Sequence, residues 1–383
     1  MSIWQLNLRH LAAVAQIARL GTVNAAAQAV NLTQPAITQA LARLEAQLGL
    51  PLFERRHNGM ALTPAAELLV PRIEAALANL SSPHVTMSRL RALLALADAG
   101  GYVGAGTLTG LSLPSLHRAV GDLSLAMRRS LVQRRGKIAV LSDAGAQLAR
   151  SFRLARLELE TGLSEIEALK GRETRRIAIG AMPLSRARIL PSAVTRFLRR
   201  RPDVAISIAE GSRAELAEPL RSGVLDLMIG ALRDPLIEPD LTQKALFTNV
   251  PAVIGRNGHP LSGTSPGAAE LACFSWVVPP KGAPLRDSFD RFFVEAGAAP
   301  PHVPIESGSV MMIRQILIDS DFLTMLSPDQ VAVELEAQWL ECIAVLPPGL
   351  GRQIGITTRT SWRATAVQRE FLEDLAAVAA EMN

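Results

Sequence analysis

Apolar positions in the first sixty residues recur with helical spacing. Leu8, Leu11, Ala15 and Ala18 share one face and predict a helix over 8–18, which Gly21 ends. Thr22 or Asn24 can cap a short helix over 25–30, and Asn31-Leu32 makes a tight turn. Thr33 then caps a third helix over 34–48, with Pro35 tolerated in its first turn and Ile37, Leu41, Leu44 and Leu48 as its buried stripe. Phe53 and Leu62 mark the strands of a hairpin that carries Arg55 and Arg56.

The same pattern returns at an offset of 79 residues. Leu11, Gly21, Ala26, Leu32, Pro35 and Leu44 reappear as Leu90, Gly100, Ala105, Leu111, Pro114 and Leu123. Leu52, Arg55, Arg56, Leu62 and Ala65 reappear as Leu131, Arg134, Arg135, Leu141 and Ala144, with no gap in register. A long helix over 144–169 follows, where Leu148, Phe152, Leu159, Leu163 and Ile166 recur at three-, four- and seven-residue spacings. That stripe suits a dimer seam or a helix packed on its own domain.

From Arg175 the period changes. Strands at 177–180, 204–209 and 225–229 alternate with helices at 189–200 and 212–221, the latter with a Ser212/Glu215 capping box. A β-α-β-α-β series predicts a parallel sheet with right-handed crossovers. A second series runs through 274–278, 285–296, 303–306, 311–318, 322–326 and 328–338, and 352–358 returns to the first lobe before a last helix over 365–382. Ligands of such sheets bind beyond the carboxyl ends of the strands. Those ends are Pro183-Leu184-Ser185, Gly211-Ser212, Gly230, Pro279-Pro280 and Ser327, which would converge on a cleft between lobes. The serines also suit plain helix caps.

At 383 residues the chain suits several domains, and no apolar run reaches membrane-spanning length. Its first twenty residues lack the plan of a signal peptide, so a cytoplasmic protein is expected. Cys273 and Cys342, apolar-flanked, read as reduced core residues, with a redox pair as the alternative. The net charge of +5 is modest, but 81–150 holds nine Lys/Arg against three Asp/Glu, a balance of +6. Gly263-Thr264-Ser265-Pro266-Gly267 fits a nucleophile-elbow string but has loop composition on both sides, and the six histidines show no metal spacing. No enzyme, metal or cofactor is expected.

Two helices across a short turn, the second opened by small polar residues, make the helix-turn-helix layout. Its third helix would enter the major groove of double-stranded DNA, where Gln34 and Thr38 can bond base edges. A small helical bundle with a solvated Arg pair is the plainer reading. The text AAAQAVNLTQPAITQALARLEAQLGLPLFERR, followed by LTPA, resembles the DNA-binding domain of LysR-type transcriptional regulators from Leu8 to about Leu69. The resemblance implies that Thr33, Gln34, Pro35, Thr38, Arg55 and Arg56 face DNA and that 64–80 is a dimerisation helix. It also implies a periplasmic-binding-protein-like domain with an effector in the cleft. WVVPPKGAPLRDSF, IESGS, LSPDQV and RQIGITTR look most like a subgroup that senses sugars or small aromatic acids.

The expected architecture is α+β and multidomain: a winged helix-turn-helix over 1–63, a linker helix over 64–84 and a second, drifted winged helix over 85–143. A linker helix that could pair subunits follows over 144–172, and a two-lobed α/β effector domain over 173–383. Lobe I would hold 173–250 and 352–383, and lobe II 251–351. In the second copy Leu113 replaces Gln34, while Ser112, Ser115, Arg118, Arg134 and Arg135 keep or add DNA-facing chemistry, joined by Arg128, Arg129 and Lys137. A spacer or dimer surface is the alternative for that copy. The expected partners are DNA, a small-molecule effector and further copies of the chain. The rival class is a free-standing solute-binding protein with degenerate helical domains in front.

Overall fold

The computed structural model describes residues 2–57, 59–80, 82, 84–136, 138–171 and 175–382, with Arg175 in its backbone alone. Lys137 and the expected boundary at 172/173 lie outside the described residues. The chain divides into two compact units, 1–175 and 176–383.

The first unit holds one order of elements twice. First come α1 (Leu8–Leu20), α2 (Val23–Ala29), α3 (Gln34–Leu48), a hairpin of β1 (Phe53–Arg56) and β2 (Gly59–Leu62), and α4 (Pro64–Leu80). Then come α5 (Met87–Ala99), α6 (Tyr102–Thr109), α7 (Leu113–Met127), a hairpin of β3 (Val132–Arg135) and β4 (Ile138–Leu141), and α8 (Asp143–Leu169). The first residue of each later element stands 79 positions after its counterpart.

Local chemistry fixes these bounds. The Thr33 hydroxyl accepts from Ala36 N at 3.4 Å, and Gly49 closes α3 at φ 69°. Ser112 accepts from Ser115 N at 3.3 Å, but α7 closes on Arg128, held at φ 52° where the first copy has glycine. Ile37, Leu41, Leu44 and Leu48 of α3 are buried, as are Leu116, Val120 and Leu123 of α7, and one apolar core runs through both copies.

α4 and α8 lie against each other and complete that core. Phe152, Leu159 and Ile166 are each no more than 1% exposed, covered by α4 and the 3₁₀ turn Ile3–Gln5 of the same chain. The expected dimer seam on α8 is therefore corrected: its stripe is consumed inside the chain, mainly against α4 of the first copy rather than on its own domain.

The second unit has two lobes. Lobe I contains β5 (Arg175–Ala181), α9 (Ile189–Arg200), β6 (Val204–Glu210), α10 (Arg213–Arg221), β7 (Leu227–Ala231) and β8 (Leu241–Asn249). The chain crosses to β9 (Ala252–Arg256), α11 (Ala268–Leu271), β10 (Val277–Val278), α12 (Pro284–Glu295), β11 (Ile305–Glu306) and α13 (Val310–Ile318). β12 (Thr324–Leu326), α14 (Ala332–Glu336) and β13 (Leu340–Val345) complete lobe II, and β14 (Arg352–Arg359) and α15 (Ala366–Ala380) return to lobe I. The lobe I sheet has the order β6-β5-β7-β14-β8. β5 and β7 are parallel, but β14 runs antiparallel to β7 and β8, so the sheet is mixed rather than parallel. The returning strand enters from the opposite end, which a series of right-handed crossovers does not foresee. Lobe II is built on β12-β9-β13 and the parallel pair β10-β11.

Candidate nucleic-acid interface and effector cleft

The N-terminus of α3 presents Thr33, Gln34 and Pro35 to solvent, with Thr38 half-buried one turn on. The Thr38 hydroxyl donates to Gln34 O at 3.0 Å, and Gln34 Nε2 donates to Thr38 Oγ1 at 3.3 Å. The amide is thus held over the first turn, where a base edge would meet the N-terminal residues of a recognition helix. Arg55 and Arg56 are exposed on β1. The 3.7 Å pair between Arg56 and Glu54 is open to water on both sides, so it holds the guanidinium weakly.

The second copy presents Ser112, Ser115 and Arg118 on α7, and Arg134 and Arg135 on β3, all exposed. Arg128 and Arg129 are exposed between them. Ser112 Oγ and Ser115 Oγ lie 2.8 Å apart. Large apolar groups also stand exposed here: Val103, Leu108, Leu113, Leu125 and Ile138, where the first copy has Asn24, Ala29, Gln34, Ala46 and Gly59.

In the second unit the carboxyl ends of β5, β6 and β7 share an edge with the end of β8 and the start of β14. β5 runs into the 3₁₀ turn Pro183–Arg186, where Pro183 is half-buried and Leu184 and Ser185 are buried. That turn touches the 3₁₀ turn Pro328–Val331 of lobe II. Across the same mouth Arg188 pairs with Asp329 at 3.2 Å, and Arg233 Nη2 donates to Gly282 O at 2.8 Å. Gly211 N donates to Ala181 O at 3.3 Å, which sets the start of α10 beside the β5 end. In lobe II, Pro279 is buried and Pro280 exposed after β10. A Cβ on Gly230 would lie 2.4 Å from Met182 Cε and 2.5 Å from Met182 Cβ, so only glycine lets the two strand ends approach.

The three serines each have a partner. Ser185 donates to Met182 O at 2.8 Å, and the buried Ser327 accepts from Asn249 Nδ2 at 2.8 Å. Ser212 is an exposed cap, donating to Glu215 Oε2 at 2.8 Å. Hydrogen bonds from the Ser212 backbone and hydroxyl hold the Glu215 carboxyl below its ordinary range. Sequence reasoning missed Arg352 and Asn249, which stand opposite each other at the β14–β8 edge. Arg352 Nη2 reaches Asn249 Oδ1 only at 3.5 Å, and its Nε is enclosed with no hydrogen-bond partner. Burial pulls this guanidinium down to about 10, so it remains a cation at neutral pH. A cation opening the strand that re-enters lobe I was the available signal.

Ser265 lies in exposed coil, without the strand-turn-helix frame a nucleophile elbow needs. Cys273 and Cys342 are free thiols and are exposed, which corrects their expected place in the core. No helix among the described residues is long and apolar enough to cross a membrane.

Comparison with known proteins fits both halves. Residues 8–67 match the bacterial regulatory helix-turn-helix protein, lysR family, and residues 170–380 match the LysR substrate binding domain. The HTH-type transcriptional regulator GalR of Pseudomonas putida is 32% identical over 367 residues, covering 92% of each chain. A full-length OxyR variant from Pseudomonas aeruginosa superimposes with a TM-score of 0.58 at 22% identity, over 77% of this chain and 95% of that one. Full-length LysG from Corynebacterium glutamicum gives 0.57 at 17% identity, over 76% and 97%. The fold and its two sites define a DNA-binding transcription regulator with an effector-binding domain, and its relatives are regulators rather than enzymes. The chain belongs to the LysR family.

Proposed function

We propose that this regulator reads its operator with α3 and grips flanking DNA with a duplicated winged helix. The cleft of its C-terminal unit then takes a small anionic effector, and copies of the chain assemble in the cytoplasm. The observation that carries the first part is the Gln34/Thr38 pair, exposed at the capped start of α3 and ordered by its own hydrogen bonds. Gln34→Ala is expected to weaken specific binding by about 1–3 kcal/mol and to relax sequence choice. A gel shift on operator and scrambled DNA checks this; unchanged affinity and preference would move the reading helix elsewhere.

The second copy is supported as a winged helix by its repeated element order. OxyR and LysG each match over nearly their whole length yet cover only 77% and 76% of this chain, which leaves room for one extra domain. Arg128 supports its contact with phosphate. A left-handed arginine costs about 1–2 kcal/mol that glycine would not. Arg128→Gly should therefore raise stability by about 1 kcal/mol while lowering affinity and flattening the salt dependence, by up to about one unit per lost phosphate contact. Opposite signs separate a chemical role from a structural one. Assembly is the second reading for this copy, favoured by exposed Val103, Leu108, Leu125 and Ile138. If Arg128→Gly stabilises without touching the salt slope, assembly wins.

For the effector, LysG carries bound effector Arg, which shows that a domain of this fold takes a small molecule. Pro183, Leu184, Ser185, Gly211, Ser212, Gly230, Pro279, Pro280 and Ser327 are the residues we assign to its approach, and Arg352 adds a cation with an unused donor. A carboxylate or phosphate would complete its hydrogen bonds, a stronger interaction than a neutral sugar hydroxyl offers. Arg352→Gln should abolish calorimetric binding of small aromatic acids. Sugars that bind the variant and the parent equally would overturn the anion assignment.

A further inference from the structure

The internal repeat extends past the two readers into the helices behind them. Ala66, Val70, Ile73, Ala76 and Leu80 of α4 are buried, and so are their counterparts in α8, Gly145, Ala149, Phe152, Ala155 and Leu159. α4 leaves the first copy and is joined to the second by a short connection, whereas α8 leaves the second copy and ends beside the first. There Lys170 Nζ lies 3.8 Å from the place of a Cβ on Gly49. The two helices therefore run in opposite senses, related by an internal pseudo-twofold. We propose that one chain is a closed pseudo-dimer, its two readers gripping the two unlike halves of a single operator. This rests on the reading that the second copy touches DNA.

The seam is specific for unlike partners. Arg72 Nε and Nη2 donate to Glu165 at 2.9 Å each, and Nη1 donates to Glu158 at 3.1 Å. The counterparts of Arg72, Glu158 and Glu165 are Ser151, Asn79 and Thr86. An α4–α4 pair of this geometry would set Arg72 against Asn79, with no carboxylate in the place of Glu165, leaving a buried cation unpaired. An α8–α8 pair would leave buried carboxylates against Ser151. Only α4 with α8 neutralises the site, and a mismatch of buried charge is a strong means of rejecting a wrong partner. The close approach is also one-sided: a Cβ on Gly162 would lie 2.9 Å from Leu69 Cδ1 and 3.1 Å from Arg72 Cβ.

The operator halves then differ in chemistry. Gln34 and Thr38 offer hydrogen bonds to base edges in one half. Leu113, with an apolar side chain where Gln34 stands, suits a thymine methyl in the other, among phosphate-facing arginines.

Charge reversal in cis and in trans tests the pairing in full-length protein. Arg72→Glu alone, and Glu158→Arg with Glu165→Arg, should each lower operator affinity at least about tenfold or leave the chain insoluble. All three changes in one chain should restore binding; failure to restore it would show that this cluster does not set the pairing. Co-expressing the two singly reversed chains should not restore it. Rescue in trans would mean that α4 pairs with α8 of another chain, which overturns the pseudo-dimer. A hydroxyl-radical footprint supplies the second arm. Gln34→Ala should lose protection in one half of the site, and neutralising Arg118, Arg128, Arg129, Arg134 and Arg135 together should lose the other. If Gln34→Ala weakens both halves alike, identical readers from two chains occupy them and the proposal fails. If the arginine variant leaves both halves protected, the second copy does not touch DNA, and the underlying reading falls whatever the pairing result.

Discussion

Arg72→Ala is expected to cost about 3–5 kcal/mol, because it leaves two enclosed carboxylates without their cation. The Arg72 side chain is 6% exposed, and those of Glu158 and Glu165 are 13% and 15% exposed. Burial disfavours the charge on Arg72, but the bonds to Glu165 and Glu158 outweigh it and raise its pKa above the ordinary value. Removing one side of such a cluster differs from removing all of it. Arg72→Met with Glu158→Leu and Glu165→Leu should lie close to the parent, since well-packed apolar groups often replace a buried ion cluster without loss. Hydrogen exchange of peptides from α4 and α8 gives the local readout. Glu54→Ala is the control, and its exposed pair with Arg56 should matter by less than about 1 kcal/mol. A comparably small loss for Arg72→Ala would show that Glu158 and Glu165 reach water easily, and the seam would lose its charge specificity.

The bounds of α3 were legible because their punctuation is local, whereas α2 begins at Val23, two residues before the expected start. Thr33 and Pro35 open α3 and Gly49 closes it, and each acts through its own backbone geometry. The stripe on α8 was legible too, but a stripe records only that a face is buried, not what buries it. Its partner is α4, 79 residues earlier, and the buried cation that fixes the choice interrupts an otherwise apolar pattern. Cys342 shows a second kind of limit. Alternation along 340–345 is broken by a register shift between Cys342 and Ala344, and the thiol turns outward. The crossing strands β8 and β9 carried no clear period. Without them the hinge pair Asn249 and Arg352 could not be placed at one edge. The Ser212 cap was legible because Glu215 stands three residues on, whereas the Asn249 amide that binds Ser327 becomes its neighbour only on folding.

Gly230→Ala is expected to disable the effector cleft while sparing the DNA readers. The added Cβ would stand 2.5 Å from Met182 Cβ, an atom that no rotamer can move. Met182 is also pinned by its backbone, since its N donates to Ile229 O at 3.0 Å and its O accepts from the Ser185 hydroxyl at 2.8 Å. Relief must therefore displace the turn Pro183–Arg186, which meets the lobe II turn Pro328–Val331 across the cleft. Overpacking of this kind costs about 1–3 kcal/mol, and here the strain falls on the surfaces that would close around a ligand. Calorimetry should show loss of effector binding, and a gel shift without effector should show operator affinity little changed. Adding Met182→Ala should not rescue binding, because the clashing Cβ remains, whereas Met182→Gly should. Full effector binding and unaltered stability in Gly230→Ala would mean that this edge of the sheet neither shapes nor supports the effector site.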